Sequence, residues 1–438
     1  MRLLIANDLD PWIVKKADVR AWAQRMLWFA EPDDVIITMD APDPGFVAHV
    51  ARAKGFNPAT LVFHVLPVNR FEGKMFDHLA LYDHAFIDQV RPEATAATKV
   101  IAAWPSPHIA SFIRKLGLAE QWDGIQLFAQ GGCELLNSMG SFRAFAAAAG
   151  VTTSRGTVCR SKEDADAATR ELLSSAPAVM VKKAHGGAGA GNHTITLDEK
   201  VATAHAGSKF LTTLTDVNEV KAFWNDRWEW ASASGAYPVV VEEFQPQARS
   251  IYAEYNCTEE SVELAAVGEL HFEERRLTRE TVPETNLDEA TLSQLARESR
   301  KIAEFYHRLG YRGPLSADTV ISPDGDITFT EVNAQYTGST HLYRILVGEL
   351  GGEDRCVTQL TSPEHWPITS VDAFLETVKE AGCAYDAHTR RGVLAVTPKI
   401  GNEKTGPIIL GILHQHPSEV SDALDRIGDA YKRTAKDN

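Results

Sequence analysis

The chain has 438 residues, of which 59 are acidic and 44 basic, so its formal net charge is −15. At about 150 residues per domain, this length predicts roughly three domains. Such an acidic chain is a poor candidate for non-specific binding to nucleic acids or anionic membranes. No apolar run approaches the ~18 residues that a membrane span needs. We therefore expect neither a nucleic-acid partner nor a membrane partner.

The cysteines argue for a reducing compartment. Five of them are widely spaced and form no Cys-x-x-Cys motif, which is unlike a disulfide scaffold or the usual zinc frames. Asp8 and Asp10 also come too early for a signal peptide. We expect a cytoplasmic protein.

The first third of the chain alternates short apolar runs with helical patterns. Such alternation predicts an open parallel α/β sheet. The segments are apolar runs at 3–6, 35–39, 61–66 and 125–128 and helical stretches around 12–29, 46–54 and 109–116. Gly131-Gly132 ends this region, and the boundaries predict domains over 1–135, 136–350 and 351–438, the last a small α+β domain.

Later segments carry clearer local signals. Gly150 is a C-terminal cap, and Ser161 with Asp164 forms a capping box at the start of a helix. The remaining predicted elements are helices over 141–149, 162–173 and 287–309, strands at 178–183, 194–197, 237–244, 392–397 and 408–413, antiparallel strands within 249–273 and a hairpin over 316–333.

The hairpin predicts a metal site. If its four-residue turn Pro323-Asp-Gly-Asp closes symmetrically, Ser322 pairs with Ile327 and Asp318 lies opposite Glu331. Opposed carboxylates repel each other, so a cation is expected between them. Asn333 lies on the same strand face as Glu331, and an oxygen-only donor set suits Mg²⁺ or Mn²⁺. A solvated acidic face is the alternative, and the hairpin alone does not decide between them.

A glycine-rich segment follows Lys182. Four glycines fall within six residues, at 186, 187, 189 and 191, and leave backbone N–H groups free to approach an anion. The spacing matches neither a Walker A loop nor a dinucleotide fingerprint. A flexible hairpin tip is the alternative. Together with the metal hairpin, however, the loop indicates a nucleoside triphosphate site, with the polar end of the 239–245 strand offered to adenine.

The order of these pieces resembles the ATP-grasp superfamily of carboxylate–amine ligases. Lys182 stands five residues before Gly187 and nine before Gly191, which is the family's spacing. The sequence 331–340 and the stretch Gly392-Val-Leu-Ala-Val-Thr are similar to the pheganomycin-type peptide ligases. The resemblance implies an α/β and α+β ATP-grasp fold with a pre-ATP-grasp domain over 1–135, an ATP-grasp domain over 136–350 with its lid at about 175–245, and a small C-terminal domain.

The resemblance also implies roles for individual residues. Lys182 would hold the phosphates of ATP, with Asp318, Glu331 and Asn333 binding Mg²⁺ or Mn²⁺. The residues implied in the lid and around the nucleotide are Gly187, Ala188, Gly189, Gly191, Glu242, Glu243, Phe244 and Gln245, with Glu242 and Gln245 addressing adenine.

The chain departs from the family at three positions. Met139 replaces a nucleotide-contacting lysine, for which Arg143 is the candidate substitute. Ser316 and Gln335 stand where arginines are common. Positive charge at an acyl phosphate must then come from elsewhere, and the candidates are Arg275, Arg276 and Arg279, whose alternative role is in a salt-bridged surface segment.

The resemblance implies an ATP-dependent ligase that joins a small carboxylate to an amine, such as an amino acid or a peptide, in specialised metabolism such as antibiotic biosynthesis. Similar ligases are commonly dimers, and the oligomeric state stays open. The alternatives are an ATP-grasp kinase or synthetase with another acceptor and a nucleotide-binding regulator without catalysis.

Overall fold

The structure is a computed structural model that describes residues 1–437 apart from 12, 14–16, 68, 69, 188, 203–206, 274, 284, 285 and 353. The chain forms two compact units. The first comprises Met1–Gly131, Arg279–Pro283 and Gln335–Asn438, and the second comprises Gly132–Thr278 and Glu284–Ala334. Within the described residues, no helix combines the length and the apolar character needed to cross a membrane.

The N-terminal part of the first unit is a parallel sheet, as predicted. Its strand order is β3-β2-β1-β4. The strands are β1 Leu3–Ile5, β2 Val35–Thr38, β3 Val62–Val65 and β4 Val100–Ala102. The helices are α1 Arg20–Ala23, α2 Pro44–Lys54, α3 His84–Ala94, α4 Pro107–Leu116 and α5 Ile125–Phe128, with 3₁₀ turns at Gln24–Phe29, Pro58–Thr60, His78–Tyr82 and Ala119–Gln121.

Three details differ from the predicted pattern. The three-residue strand β4 is too short to give a sequence signal. The helix predicted around 12–29 is found as α1 followed by a 3₁₀ turn, and its residues 12 and 14–16 lie outside the described part of the chain. The segment 125–128 is helical rather than extended, and it follows Gly124, which has a φ of +76°.

The second unit begins with a five-stranded sheet covered by two helices. Its order is β5-β9-β6-β7-β8, antiparallel except for the pair β7–β8. Ser161 and Asp164 form the predicted capping box of α8, and Trp224 of α10 is fully buried in the core. The elements are α6 Gly132–Leu136, α7 Met139–Ala149, β5 Gly156–Cys159, α8 Lys162–Leu173, β6 Ala178–Lys182, β7 Asn192–Thr196, α9 Glu199–Ala202, β8 Phe210–Thr213, a 3₁₀ turn Val217–Glu219, α10 Val220–Ala231 and β9 Val239–Glu243.

Antiparallel strands complete the second unit, in the order β14-β13-β10-β11. The long predicted helix is confirmed as α11, with Leu295 and Ile302 buried, although Leu292 is exposed. The elements are β10 Arg249–Cys257, β11 Val262–Glu273, β12 Arg276–Val282, α11 Glu289–Arg308, β13 Gly313–Ile321 and β14 Ile327–Asn333. Strand β12 belongs to the first unit from Arg279 onwards.

The C-terminal residues pack with the N-terminal residues in the first unit. Trp28 Nε1 donates to the carbonyl of Val396 at 3.1 Å, and the Ala395 N–H donates to His49 Nε2 at 3.1 Å. The strand order is β12-β15-β17-β16. The elements are a π-helical segment Leu342–Gly351, β15 Cys356–Thr361, α12 Val371–Glu380, β16 Gly392–Ala395, β17 Ile409–His414 and α13 Ser418–Asp437. The predicted division into three domains stays a prediction.

Candidate nucleotide and metal site

The hairpin β13–β14 places Asp318 directly opposite Glu331, as predicted. The register that produces this pairing differs from the predicted symmetric closure of the turn. At the turn Ile321, not Ser322, pairs with Ile327, so the predicted pairing of Ser322 with Ile327 is wrong by one residue. A β-bulge at Thr330 then shifts the register back. The carboxylates therefore face each other because of the bulge.

The turn itself is shorter than the sequence pattern indicated. Gly325 has a φ of +90°, and its N–H donates to the Ser322 carbonyl at 2.9 Å. The Ser322 N–H donates to the Asp326 carbonyl at 3.0 Å, which encloses a three-residue loop. Three-residue hairpin loops commonly end in one left-handed residue, and glycine meets that requirement without steric cost.

The opposed carboxylates are electrostatically strained. Burial raises the pKa of Asp318, and burial together with the Asp318 charge raises the pKa of Glu331. Ser316 Oγ donates to Asp318 Oδ1 at 2.7 Å, and Asn333 Nδ2 donates to Asp318 Oδ2 at 3.2 Å. Ser316, which stands where the family commonly has an arginine, thus orients the aspartate without neutralising it. A cation beside the pair would favour the ionised form of both groups.

Lys182 belongs to the same cluster. Its Nζ lies 2.7 Å from Glu242 Oε1 and donates to the carbonyl of Thr330 at 2.8 Å. Lys182 and Glu242 are 5% and 4% exposed, so this ion pair is buried. The Lys182 charge opposes the rise in pKa of Asp318. The bulge at Thr330 therefore both aligns the carboxylates and anchors the lysine predicted to hold phosphate.

Arg143 completes the pairing of Glu242. Its Nη1 lies 2.8 Å from Glu242 Oε2, and its Nη2 donates to the carbonyls of Ser154 and Gly156, at 2.9 Å each. Arg143, the predicted substitute for the lysine that Met139 replaces, is thus linked to Lys182 through Glu242, which pairs with both. This contact spans 99 residues of sequence, and no local pattern could have indicated it.

Glycine at 156 permits this arrangement. Gly156 pairs with Glu242 across β5 and β9, and a Cβ there would lie 2.6 Å from Glu242 Cα and also against the Val241 carbonyl. We expect Gly156→Ala to lower the free energy of unfolding by about 2 kcal/mol, as overpacking does. Urea titration measures this loss. Gly187→Ala, where a Cβ meets nothing within 4 Å, is the matched control, and an equal loss in both variants would contradict the assignment.

The glycine-rich segment is a tight connection between β6 and β7. The Lys183 N–H donates to the Gly191 carbonyl at 2.9 Å, and the Asn192 N–H donates to the Gly189 carbonyl at 3.1 Å. Gly189 has a φ of +71°, and a Cβ on Gly186 would lie 2.8 Å from Gly191 Cα. Backbone approach therefore requires glycine at these positions. Ala188 lies outside the described residues, and the phosphate-binding role of the segment stays a prediction.

The end of β9 places its polar residues on opposite faces, as strand alternation requires. Glu243 Oε2 lies 3.2 Å from Nε of the exposed Arg155, away from the Glu242 pair. The Phe244 N–H donates to the Ala178 carbonyl at 3.0 Å. Gln245 Oε1 is buried and has no hydrogen-bond partner among the described residues. This acceptor fits the exocyclic amino group of an adenine.

The structure does not group every predicted residue with this cluster. Arg275 and Arg276 have exposed side chains at the start of β12. Their predicted contact with an acyl phosphate stays a prediction. The structure instead brings together Lys182, Asp318 and Glu331.

The donor set fits a hard divalent cation. Within the described part of the chain, no group of three or more His, Cys, Asp or Glu side chains could hold a metal ion. The candidate site has only two such side chains, Asp318 and Glu331, and its third donor is the Asn333 amide. Carboxylate and amide oxygens are ligands of Mg²⁺. Burial and the Asp318 charge raise the pKa of Glu331, and a bound cation would offset the repulsion between the two carboxylates.

Comparisons with known proteins agree with the predicted fold. Residues 23–118 match the model of the Pre ATP-grasp domain. The biotin carboxylase of Campylobacter jejuni gives a TM-score of 0.60 at 13% identity, over 97% of this chain and 91% of that chain. An ADP complex of N5-carboxyaminoimidazole ribonucleotide synthetase gives 0.58 at 13% identity, over 100% and 97%.

An L-amino acid ligase from Bacillus licheniformis is also similar, with a TM-score of 0.55 at 14% identity over 98% of this chain and 96% of that chain. No curated protein sequence matches the chain significantly. At these identities, the likeness shows a shared fold.

Proposed function

We propose that this chain, which has the ATP-grasp fold, is an ATP-dependent ligase that activates a carboxylate and couples it to an amine. One observation carries the proposal: a single unit of the chain brings Lys182 beside the opposed carboxylates Asp318 and Glu331. A lysine for the phosphates and oxygen ligands for Mg²⁺ are parts that recur in sites of phosphoryl transfer from ATP.

The proposed reaction has two steps. A carboxylate oxygen attacks the γ-phosphorus of ATP, the bond to the β-phosphate oxygen breaks, and an acyl phosphate and ADP form. An amine then attacks the acyl carbon. The bond between this carbon and the phosphate oxygen breaks, phosphate leaves with the bonding electron pair, and the amine proton is lost to solvent. This chemistry needs positioning and charge neutralisation more than a nucleophilic side chain.

The chain's own residues have distinct tasks in this reaction. Lys182, fixed between Glu242 and the Thr330 carbonyl, places a positive charge for the phosphates of ATP. Asp318, Glu331 and Asn333 would hold Mg²⁺, which neutralises charge on bridging phosphate oxygens when bound. Gln245 supports adenine binding through its unpaired Oε1. Arg143 keeps Glu242 oriented toward Lys182.

The finer assignment is an amino-acid or peptide ligase of specialised metabolism. The similarity of the 331–340 sequence to pheganomycin-type peptide ligases supports it, as does the shared fold with the L-amino acid ligase. We propose that both substrates are small molecules.

The test is a measurement of ADP and phosphate release with ATP, Mg²⁺ and pooled amino acids and peptides. We expect release only when carboxylate and amine are both present, with an amide product in the mass spectrum. ATP turnover that does not depend on an amine would contradict the proposal. A phosphoester product would instead identify a kinase acting on a hydroxyl acceptor.

A further inference from the structure

The first unit contains a cavity at the carboxyl ends of β1 and β4. In the order β3-β2-β1-β4, the chain leaves β1 on one side for β2 and returns on the other side for β4. Ligands of open parallel sheets bind at such a switch point. The cavity encloses about 420 Å³ with its open mouth included, and Asp8, Arg25 and His341 are among its lining residues.

The edges of the cavity are fixed by the two strands. Asn7, which follows β1, donates through Nδ2 to the Trp104 carbonyl at 2.7 Å and accepts from the Trp104 N–H through Oδ1 at 3.0 Å. This amide pair ties the end of β1 to the end of β4. The site is therefore a preformed cavity.

Arg25 presents a guanidinium to this cavity. Its Nε donates to the Trp22 carbonyl at 2.9 Å, and its Cζ lies 4.8 Å from the Trp22 ring centroid. Its two terminal nitrogens have no hydrogen-bond partner among the described residues. Burial lowers the pKa of Arg25 although the charges of Asp8 and Glu280 oppose the shift. Arg25 is half-buried, and a fork of N–H donors of this kind is satisfied by a planar carboxylate.

The other charges define the ligand further. Asp8 lines the cavity with Arg25. Buried Glu280 accepts from Gln359 Nε2 at 3.3 Å, and Gln359 Oε1 lies 2.9 Å from Nε2 of the cavity residue His341. The negative charge of Glu280 also acts on Arg25. These acids disfavour a dianion such as phosphate and favour a ligand that carries an ammonium beside its carboxylate.

The walls are aromatic. Phe29 and Tyr336 meet edge to face with their ring centroids 5.1 Å apart, and Trp22 and Trp104 also line the cavity. Such walls bury apolar groups, whereas the polar groups fix orientation. A ligand with one apolar or aromatic side chain and two opposite charges matches both properties.

We propose that this cavity binds a free amino acid with an apolar or aromatic side chain, its carboxylate on the terminal nitrogens of Arg25 and its ammonium toward Asp8. The inference rests on the proposed ligase function only in naming this amino acid as a substrate.

The test is calorimetric titration of the full chain, without nucleotide, with each standard L-amino acid. L-Phenylalanine is compared with 2-phenylethylamine, which lacks the carboxylate, and with 3-phenylpropionate, which lacks the ammonium. We expect L-phenylalanine or another apolar amino acid to bind, and each truncated analogue to bind at least about tenfold more weakly, because one charge-assisted contact is lost.

Arg25→Gln should weaken amino-acid binding by about tenfold or more and leave 2-phenylethylamine binding unchanged. Arg52→Gln, which removes an exposed arginine of the same unit, should change neither. Arg25→Lys keeps the charge but not the fork and should give an intermediate loss, which excludes misfolding as the cause.

The proposal would be overturned if no amino acid binds, or if binding is the same in wild type and Arg25→Gln. Equal binding of inorganic phosphate and L-phenylalanine would also overturn it. Failure of the ligase proposal gives a different result, in which amino acids bind through Arg25 but ADP release never depends on them.

Discussion

Glu331→Gln should reduce ADP release at least about a thousandfold, because one metal-binding charge is removed from a step that depends on charge neutralisation. The same substitution should raise the midpoint of thermal unfolding of the metal-free chain. Burial and the Asp318 charge raise the pKa of Glu331, so the ionised carboxylate costs free energy in the folded chain, and glutamine removes that charge without changing the shape of the side chain. Activity and stability are thus expected to move in opposite directions.

Scanning calorimetry with and without Mg²⁺ measures the second effect. Mg²⁺ should raise the wild-type midpoint by a few degrees and leave the Glu331→Gln midpoint nearly unchanged, because ligand binding to the folded state stabilises it. Glu260→Gln, at an exposed position of the same unit, should behave like wild type in both assays. A Glu331→Gln variant that retains most of its activity, or that remains Mg²⁺-stabilised, would remove Glu331 from the metal site.

The hairpin shows how much of the candidate site a sequence pattern can predict. Residue types and strand alternation predicted that Asp318 faces Glu331, and the structure confirms it. The count that led there assumed a regular ladder with a four-residue turn, whereas the chain has a three-residue turn and a bulge at Thr330. The shorter turn and the bulge each shift the strand register by one residue, and the two shifts cancel. Period-two patterns fix which face a side chain takes, but they do not reveal a bulge.

The sequence predicted Glu242 as a site residue from its position at a strand end, but it did not predict which side chains pair with Glu242. Arg143 and Lys182 reach it from α7 and β6, far apart in sequence. Such pairing depends on the register of three strands and on the close approach that Gly156 allows. Spacing in one sequence contains none of this information.

The cavity at Arg25 gave no sequence signal at all. Its location follows from the switch point between β1 and β4, and β4 has only three residues. Because β4 is not predicted, the sequence pattern predicts a parallel sheet but not the position at which the strand order reverses. Arg25 itself is an arginine within a 3₁₀ turn among apolar residues, which is typical of a side chain whose charge reaches the surface.

Lys182→Met should weaken ATP binding at least about tenfold, because a buried ammonium fixed at the candidate phosphate position is lost. The substitution keeps the apolar stem of the side chain and removes only the charge. It leaves Glu242 with Arg143 as its remaining ion-pair partner and the Thr330 carbonyl without its donor. The chain should therefore also lose stability, by about 1–3 kcal/mol.

These two effects can be separated. In the single variant Glu242→Gln the buried ion pair is lost but the Lys182 charge stays, so stability should fall while ATP affinity falls less than in Lys182→Met. Lys183→Met is the matched control, because its ammonium lies 5.3 Å from the Trp230 ring centroid rather than in the carboxylate cluster. Titration with a non-hydrolysable ATP analogue measures affinity. If Lys182→Met bound the analogue as tightly as wild type, the ion pair with Glu242 would be structural, and the phosphates would lie elsewhere.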